Sequence, residues 1–252
     1  MIDLRGKNTI VTGGGSGIGR GISRVFAEAG AHVHVVDKNG SDAAETSSSL
    51  SGTGEFTSEP VDVTDVVTVQ SVVSRSISEF GKIDILVNNA GIVGAQNWWQ
   101  RDIPNDADWH DVHEVNVRGM VRMSESVSQH MKNRRYGKII NISSNNSVQA
   151  FPLMAAYNTS KAGVNMLTKV LALEWAPYNI CVNGIGPGDY DTQMTHETWI
   201  DPVARKRHIS GIPLGREGDL RELGVLAVYL SSAASDYMTG QICYMDGGLT
   251  AK

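Results

Sequence analysis

Short apolar runs rich in branched residues alternate with stretches of helical periodicity from one end of the chain to the other. "KNTIVTG" (7–13), "AHVHVVD" (31–37), "FTSEPVDV" (56–63) and "IDILVNN" (83–89) are expected strands. Between them, 18–30, 41–50 and 65–81 are expected helices; the first and third end on Gly30 and Gly81, as a helix terminus favours. The third is crowded with valine, yet its apolar residues fall at 66, 69, 72, 73, 77 and 80, a helical period. The pattern continues as a long helix around 111–134, a strand 137–143, a helix 155–176, a strand 179–186, a helix 219–231 and a strand 241–246. Helices between apolar strands imply right-handed crossovers and a sheet buried on both faces. The expected fold is α/β: a single doubly wound, mostly parallel sheet of about seven strands with helices on both faces.

No linker, charge block or repeat divides the 252 residues, so one domain over 1–252 is expected. A formal net charge of −5 argues against nucleic acid or an anionic membrane as the main partner. Cys181 and Cys243 lie in apolar segments, and the seven histidines show no ligating spacing, so neither a disulfide framework nor a metal site is expected. The N-terminal stretch lacks a long apolar run and a cleavage pattern, which makes the cytoplasm the expected location.

In open parallel sheets, ligands bind beyond the carboxyl ends of the strands. "TGGGSGIG" (12–19) lies there, after the first strand and opening the first helix. Glycines allow a tight turn, and the helix N-terminus can then receive a pyrophosphate. The spacing is T-G-x-x-x-G-x-G on Gly13, Gly17 and Gly19, with Ser16 in the same turn, and departs from G-x-G-x-x-G. Asp37 ends the second strand eighteen positions beyond Gly19, where a carboxylate would hold a ribose and repel a 2′-phosphate, favouring NAD over NADP. Lys38 is a counter-signal. Asp62 could meet the adenine amino group, and "NNAG" (88–91) is small enough for backbone to approach a flat ring. Together these residues predict a Rossmann-type nucleotide site in a cofactor half of about 1–95, with a catalytic and substrate half of about 96–252.

With "NISS", "YNTSK", "PGDYDT" and "TGQICYMDGG" added, the chain resembles the short-chain dehydrogenase/reductase family over nearly its whole length. The resemblance implies cofactor contacts by Gly13, Gly17, Ile18, Gly19, Asp37, Asp62, Val63, Asn89, Ala90, Gly91, Pro187, Gly188 and Thr192, with Tyr157 and Lys161 reaching the same ligand. Tyr190 stands where a small aliphatic residue is usual. The implied catalytic group is Asn116, Ser144, Tyr157 and Lys161; Ser144 precedes Tyr157 by thirteen residues, and Ser143 is rejected on that spacing. Dimers or tetramers are also implied.

Tyr157 and Lys161 are four apart and share a helix face. Isolated, such a pair belongs to a core helix more often than to an active site; beside a nucleotide site it can be an acid–base device. Oxidising a secondary alcohol requires a base for the hydroxyl proton while hydride leaves for the nicotinamide. A free phenol has a pKa of about 10, and bringing it to about 7 takes about 4 kcal/mol of differential stabilisation. The Lys161 ammonium and a positive nicotinamide act in that direction. Ser144 would hold the substrate oxygen, and Asn116 a water linking Lys161 to solvent.

For the substrate, Asn145, Asn146 and Gln149 beside Ser144 suggest a polar pocket, with loop capping as the structural alternative. Trp98 could stack on a sugar face or simply pack. The segment 189–213 has the composition of a lid, within which His196 and Trp199 could face the pocket together. The leading expectation is an NAD-dependent dehydrogenase of a small polar secondary alcohol, polyol- or sugar-like. Two alternatives stay open: a 3-oxoacyl-thioester reductase, and a non-catalytic nucleotide-binding regulator.

Overall fold

The computed structural model describes residues 2–94 and 106–252. The elements run β1 Asn8–Thr12, α1 Gly17–Glu28, β2 His32–Asp37, α2 Gly40–Ser49, β3 Phe56–Pro60, α3 Val66–Phe80, β4 Ile85–Asn88, α4 Asp106–His113, α5 Met120–Arg134, β5 Gly137–Ile142, α6 Ala155–Trp175, β6 Ile180–Pro187, α7 His196–Ile200, α8 Pro202–Gly211, α9 Leu220–Ser231 and β7 Ile242–Met245. The seven strands form one parallel sheet in the order β3-β2-β1-β4-β5-β6-β7. The order reverses between β1 and β4, and the crevice above that reversal is where such sheets bind ligands.

Alternation along the strands divides the core in two. Val11, Ile85, Val87 and Ile140 point to one face, where Ile22, Phe26, Leu223 and Ala227 of α1 and α9 cover them. Ile10, Leu86 and Ile139 point to the other, against Val69, Val72 and Val73 of α3 and Met123, Val127 and Met131 of α5. Val25 of α1 lies so close to Gly224 of α9 that a Cβ there would stand 2.5 Å from a Val25 methyl. Helix ends follow their chemistry: Asp65 caps α3 and Gly81 closes it at φ 73°, while Asp219 and Glu222 form a reciprocal capping box on α9.

Two segments depart from expectation in ways that matter for the site. The expected strand 56–63 stops at Pro60, because Asp62 Oδ1 accepts from the Thr64 N–H at 2.9 Å and hydroxyl at 2.7 Å and turns the chain toward α3. The expected helix 111–134 is already formed at Asp106 and is interrupted at Glu114–Gly119 by a wider π turn before α5 begins. That turn carries Asn116, and such insertions recur at functional sites. Among the described residues, no helix is long and apolar enough to cross a membrane, and no three potential ligands cluster for a metal.

Candidate active site

The carboxyl ends of β1, β2, β4, β5 and β6 border a cleft of about 780 Å³. At one end lies the glycine turn. Gly13 and Gly17 have φ of 61° and 47°, the left-handed region that glycine enters without penalty. A Cβ on Gly13 would stand 2.8 Å from Ala90 Cα, and one on Gly19 only 2.2 Å from Gly13 O. Gly19 therefore lets α1 start against the turn, while Gly13, Ser16, Gly17 and Ile18 line the cleft. The Ser16 side chain makes no capping bond to α1, so the first-turn N–H groups stay open to an anion at the helix N-terminus. That open cradle fits a dinucleotide pyrophosphate.

Backbone donors fix Asp37: Oδ2 accepts from Gly15 N at 3.0 Å and Oδ1 from Asn39 N at 2.9 Å. The carboxylate is held rigidly on the cleft wall with lone pairs left for hydroxyl donors. Lys38 reaches across to Asp62 at 2.9 Å, and together with Thr64 it holds the Asp62 carboxyl below its ordinary range against the opposing effect of burial. Asn89 has a structural task as well: its Nδ2 donates to Thr12 O and Gly13 O, at 3.0 and 2.9 Å, sewing β4 to the glycine turn. Val63, Ala90, Gly91, Pro187, Gly188 and Thr192 complete the expected lining.

Toward the other end, α6 presents Tyr157 and Lys161 one turn apart, with Lys161 Nζ 5.7 Å from the Tyr157 ring centroid. Lys161 is 3% exposed, and its ammonium donates to Ile142 O at 2.9 Å. Ser144 lines the cleft with Tyr157 and acts to lower its phenol. Ser143 also borders the cleft, but its hydroxyl is engaged, donating to Asn165 Oδ1 at 2.6 Å. Asn116 is fully buried and clamps Ile92, accepting from its N–H at 2.8 Å and donating to its carbonyl at 2.9 Å. It also donates to Ser160 Oγ at 3.0 Å, so its amide is occupied in holding the chain after "NNAG" beside Lys161.

Burial pushes the Tyr157 phenol up, the reverse of what a base needs, and the Ser144 hydrogen bond acts against that rise. Burial also pushes the Lys161 ammonium down, to about 8.

The residues expected at the substrate end are scattered. Trp199 is buried under α8, its indole N–H donating to Tyr190 O at 3.0 Å, so it braces the segment instead of facing the cleft. His196 borders an adjoining groove outside the cleft and lies 3.3 Å from Asp191. Asn145 accepts from Ser144 Oγ, Asn146 contacts Met154 Sδ, and Gln149 is exposed; none borders the cleft. Loop capping is what the Ser144–Ser147 turn shows, with Asn146 N donating to Ser144 Oγ. Trp98 lies outside the described residues. Tyr190 is packed into the core and donates to Met245 O at 3.0 Å, its phenol pushed up by burial. The expected lid segment forms α7 and α8, and its Gln193 and Met194 do border the cleft. Sequence reading also missed His110, Asp111 and Glu114, which line the cleft from the helical stretch before Asn116; their spacing to Asn116 was the available signal.

Comparison with known proteins agrees with this geometry. A family model described as enoyl-(acyl carrier protein) reductase matches residues 13–250. The chain is 37% identical over 252 residues to 2-dehydro-3-deoxy-D-gluconate 5-dehydrogenase of Dickeya dadantii, covering 99% of this chain and 98% of that protein. It is 36% identical to the 3-oxoacyl-[acyl-carrier-protein] reductase of Thermotoga maritima, covering 98% of each. The crystal structure of a gluconate 5-dehydrogenase from Burkholderia cenocepacia in complex with NADP and tartrate superposes with a TM-score of 0.89 at 35% identity, covering 100% of this chain and 98% of that one.

Proposed function

The chain belongs to the short-chain dehydrogenase/reductase family and is an oxidoreductase that uses a nicotinamide dinucleotide, and from that premise we propose that it oxidises a secondary hydroxyl of a sugar acid or related polyol with NAD⁺. The observation that carries this reading is the Ser144–Tyr157–Lys161 line at one end of a cleft whose other end holds Asp37. Tyr157 takes the hydroxyl proton, Lys161 stabilises the resulting phenolate, and Ser144 orients the substrate oxygen. Asn116 keeps the Ile92 backbone in place beside Lys161. The glycine turn and Asp37 hold the dinucleotide, which supplies the hydride acceptor.

Support for NAD⁺ over NADP⁺ comes from charge. Asp37, Asp62, Asp111 and Glu114 line the cleft, and Lys38 is already paired with Asp62, so a 2′-phosphate would meet carboxylates. Support for a sugar acid comes from the gluconate-type dehydrogenases among the relatives. The Thermotoga relative favours a second reading, reduction of a 3-oxoacyl thioester with NADPH. We further infer that the protein works in the cytoplasm as a homo-oligomer, since Met166 and Leu173 leave an apolar stripe on α6 60% and 78% exposed.

Activity with NAD⁺ and NADP⁺ over D-gluconate, 2-dehydro-3-deoxy-D-gluconate, polyols and a 3-hydroxyacyl thioester tests the proposal. Asp37→Ala should weaken NAD⁺ use by about tenfold or more, through loss of charged hydrogen bonds, and narrow the gap to NADP⁺. A wild type that prefers NADP⁺ and the thioester would transfer the assignment to the second reading.

A further inference from the structure

The α6 stripe that carries Tyr157 and Lys161 continues, four residues on, to Asn165. Asn165 touches neither the cleft nor the glycine turn, yet it is the hub of a hydrogen-bond cluster tying α6 to β7 and to the turn after Ser144. We propose that Asn165 is a positioning residue which, through Ser147 and Tyr244, fixes the Ser144 turn and so keeps Ser144 placed beside Tyr157 at the reacting end of the cleft. This rests on the reading above, in which Ser144 and Tyr157 act in the reaction.

The shortest contacts of the cluster fit together in one chain of donors and acceptors. Ser143 Oγ donates to Asn165 Oδ1 at 2.6 Å, which orients the amide. Asn165 Nδ2 then donates one hydrogen to Ser147 Oγ at 2.8 Å and the other to Tyr244 Oη at 2.9 Å. Ser147 Oγ donates to Ser144 O at 2.6 Å, so at the 3.1 Å contact between Ser147 and Tyr244 the phenol must be the donor. Ser147 therefore accepts twice and donates once, and its single proton goes to the carbonyl of Ser144, which lines the cleft with Tyr157.

The surrounding backbone accommodates this cluster. A Cβ on Gly186 of β6 would stand 2.4 Å from the Tyr244 ring, so the glycine opens the space that the ring occupies. The Ser144 hydroxyl accepts from Asn146 N at 3.1 Å and meets Asn145 at 3.2 Å, and the Ser144 carbonyl accepts from Ser147 N at 3.0 Å, so the Ser147 hydroxyl is a second bond to that carbonyl and the one that links the turn to Asn165. A small displacement of a group beside the reacting atoms costs up to about a hundredfold in rate. Since the Ser144 hydrogen bond is the contact that opposes the upward push of burial on Tyr157, losing its alignment raises the phenol further.

Asn165→Asp keeps size and acceptor while deleting both donors, and Tyr244→Phe keeps the ring while deleting the hydroxyl. Both are compared with Ser144→Ala and Tyr157→Phe in the full-length protein. Tyrosinate absorbance is titrated in the NAD⁺ complex with Tyr157→Phe as the blank, which needs no substrate, and turnover of D-gluconate is followed in parallel. Expected results are an upward shift of the Tyr157 titration in both variants, kcat lower by about tenfold, and NADH affinity unchanged. The double variant Ser144→Ala/Asn165→Asp should be no worse than Ser144→Ala alone, because both act through one contact. Losses that multiply in the double variant, or an Asn165→Asp titration matching wild type, would overturn the proposal. If Asn165→Asp fails to fold, Tyr244→Phe and Ser147→Ala carry the same comparison. If instead Tyr157→Phe retains turnover, it is the assignment of the site that fails.

Discussion

Replacing Lys161 by methionine removes the ammonium while keeping an unbranched stem in the same buried slot. Two unit charges 5.7 Å apart, the distance from Nζ to the Tyr157 ring centroid, attract by about 3 kcal/mol at an effective dielectric of about 20. That corresponds to about two pKa units on the phenol. Wild type is expected to show an alkaline limb in the oxidation rate set by ionisation of Tyr157 beside the Lys161 ammonium. In Lys161→Met only the burial-raised phenol remains, so the limb should move up by about two units and turnover at neutral pH should fall by about a hundredfold. The variant also leaves the buried Ile142 carbonyl without its donor, a cost of about 1–3 kcal/mol, which thermal unfolding reports separately. A full pH profile of kcat/KM at saturating NAD⁺ is the assay. A rate loss with the limb unmoved from its wild-type position would refute the electrostatic argument and leave Lys161 a binding residue.

Gly19→Ala would place a methyl 2.2 Å from Gly13 O, so α1 must back away from the turn. NADH affinity should fall severely and stability by about 1–3 kcal/mol, measurable by fluorescence titration and urea unfolding. Asp84, 1% exposed, is raised by burial but lowered more by Arg134 at 2.7 Å, the Asn8 N–H and Lys82 at 3.0 Å. Its folded pKa is therefore below the unfolded one: the stabilisation is complete above about pH 4 and is lost as pH falls through the lower folded value. Asp84→Asn should remove about 2–4 kcal/mol at neutral pH and flatten the acid side of the stability curve.

Much of the architecture was legible because periodicity reports burial. Val69, Val72 and Val73 read as one helical face in spite of their β-branching, and they pack under the sheet as that face requires. The glycine turn was legible because its spacing answers a steric demand, visible in the near-contact of Gly19 with Gly13 O. What escaped had no periodic signature. One extra residue in a helical turn leaves the apolar pattern almost unchanged, so the π turn that carries Asn116 was invisible. Trp199 and His196 are three apart and so share a helix face, but which side of α7 the cleft occupies is decided by how α8 packs. The anchoring of Tyr190 and Tyr244 had no sequence signal, because their hydroxyl partners, Met245 O for one and Asn165 and Ser147 for the other, are distant in sequence.

Tyr157→Phe is the most direct test of the account, because it deletes one oxygen and leaves the ring beside Lys161. NADH binding and oxidation of the best secondary alcohol would be measured on the same preparation. The account predicts wild-type affinity for NADH together with turnover reduced by about a thousandfold, the loss expected of a general base. Turnover within about tenfold of wild type, with NADH still bound, would contradict it, since a base worth so little lies below the usual range.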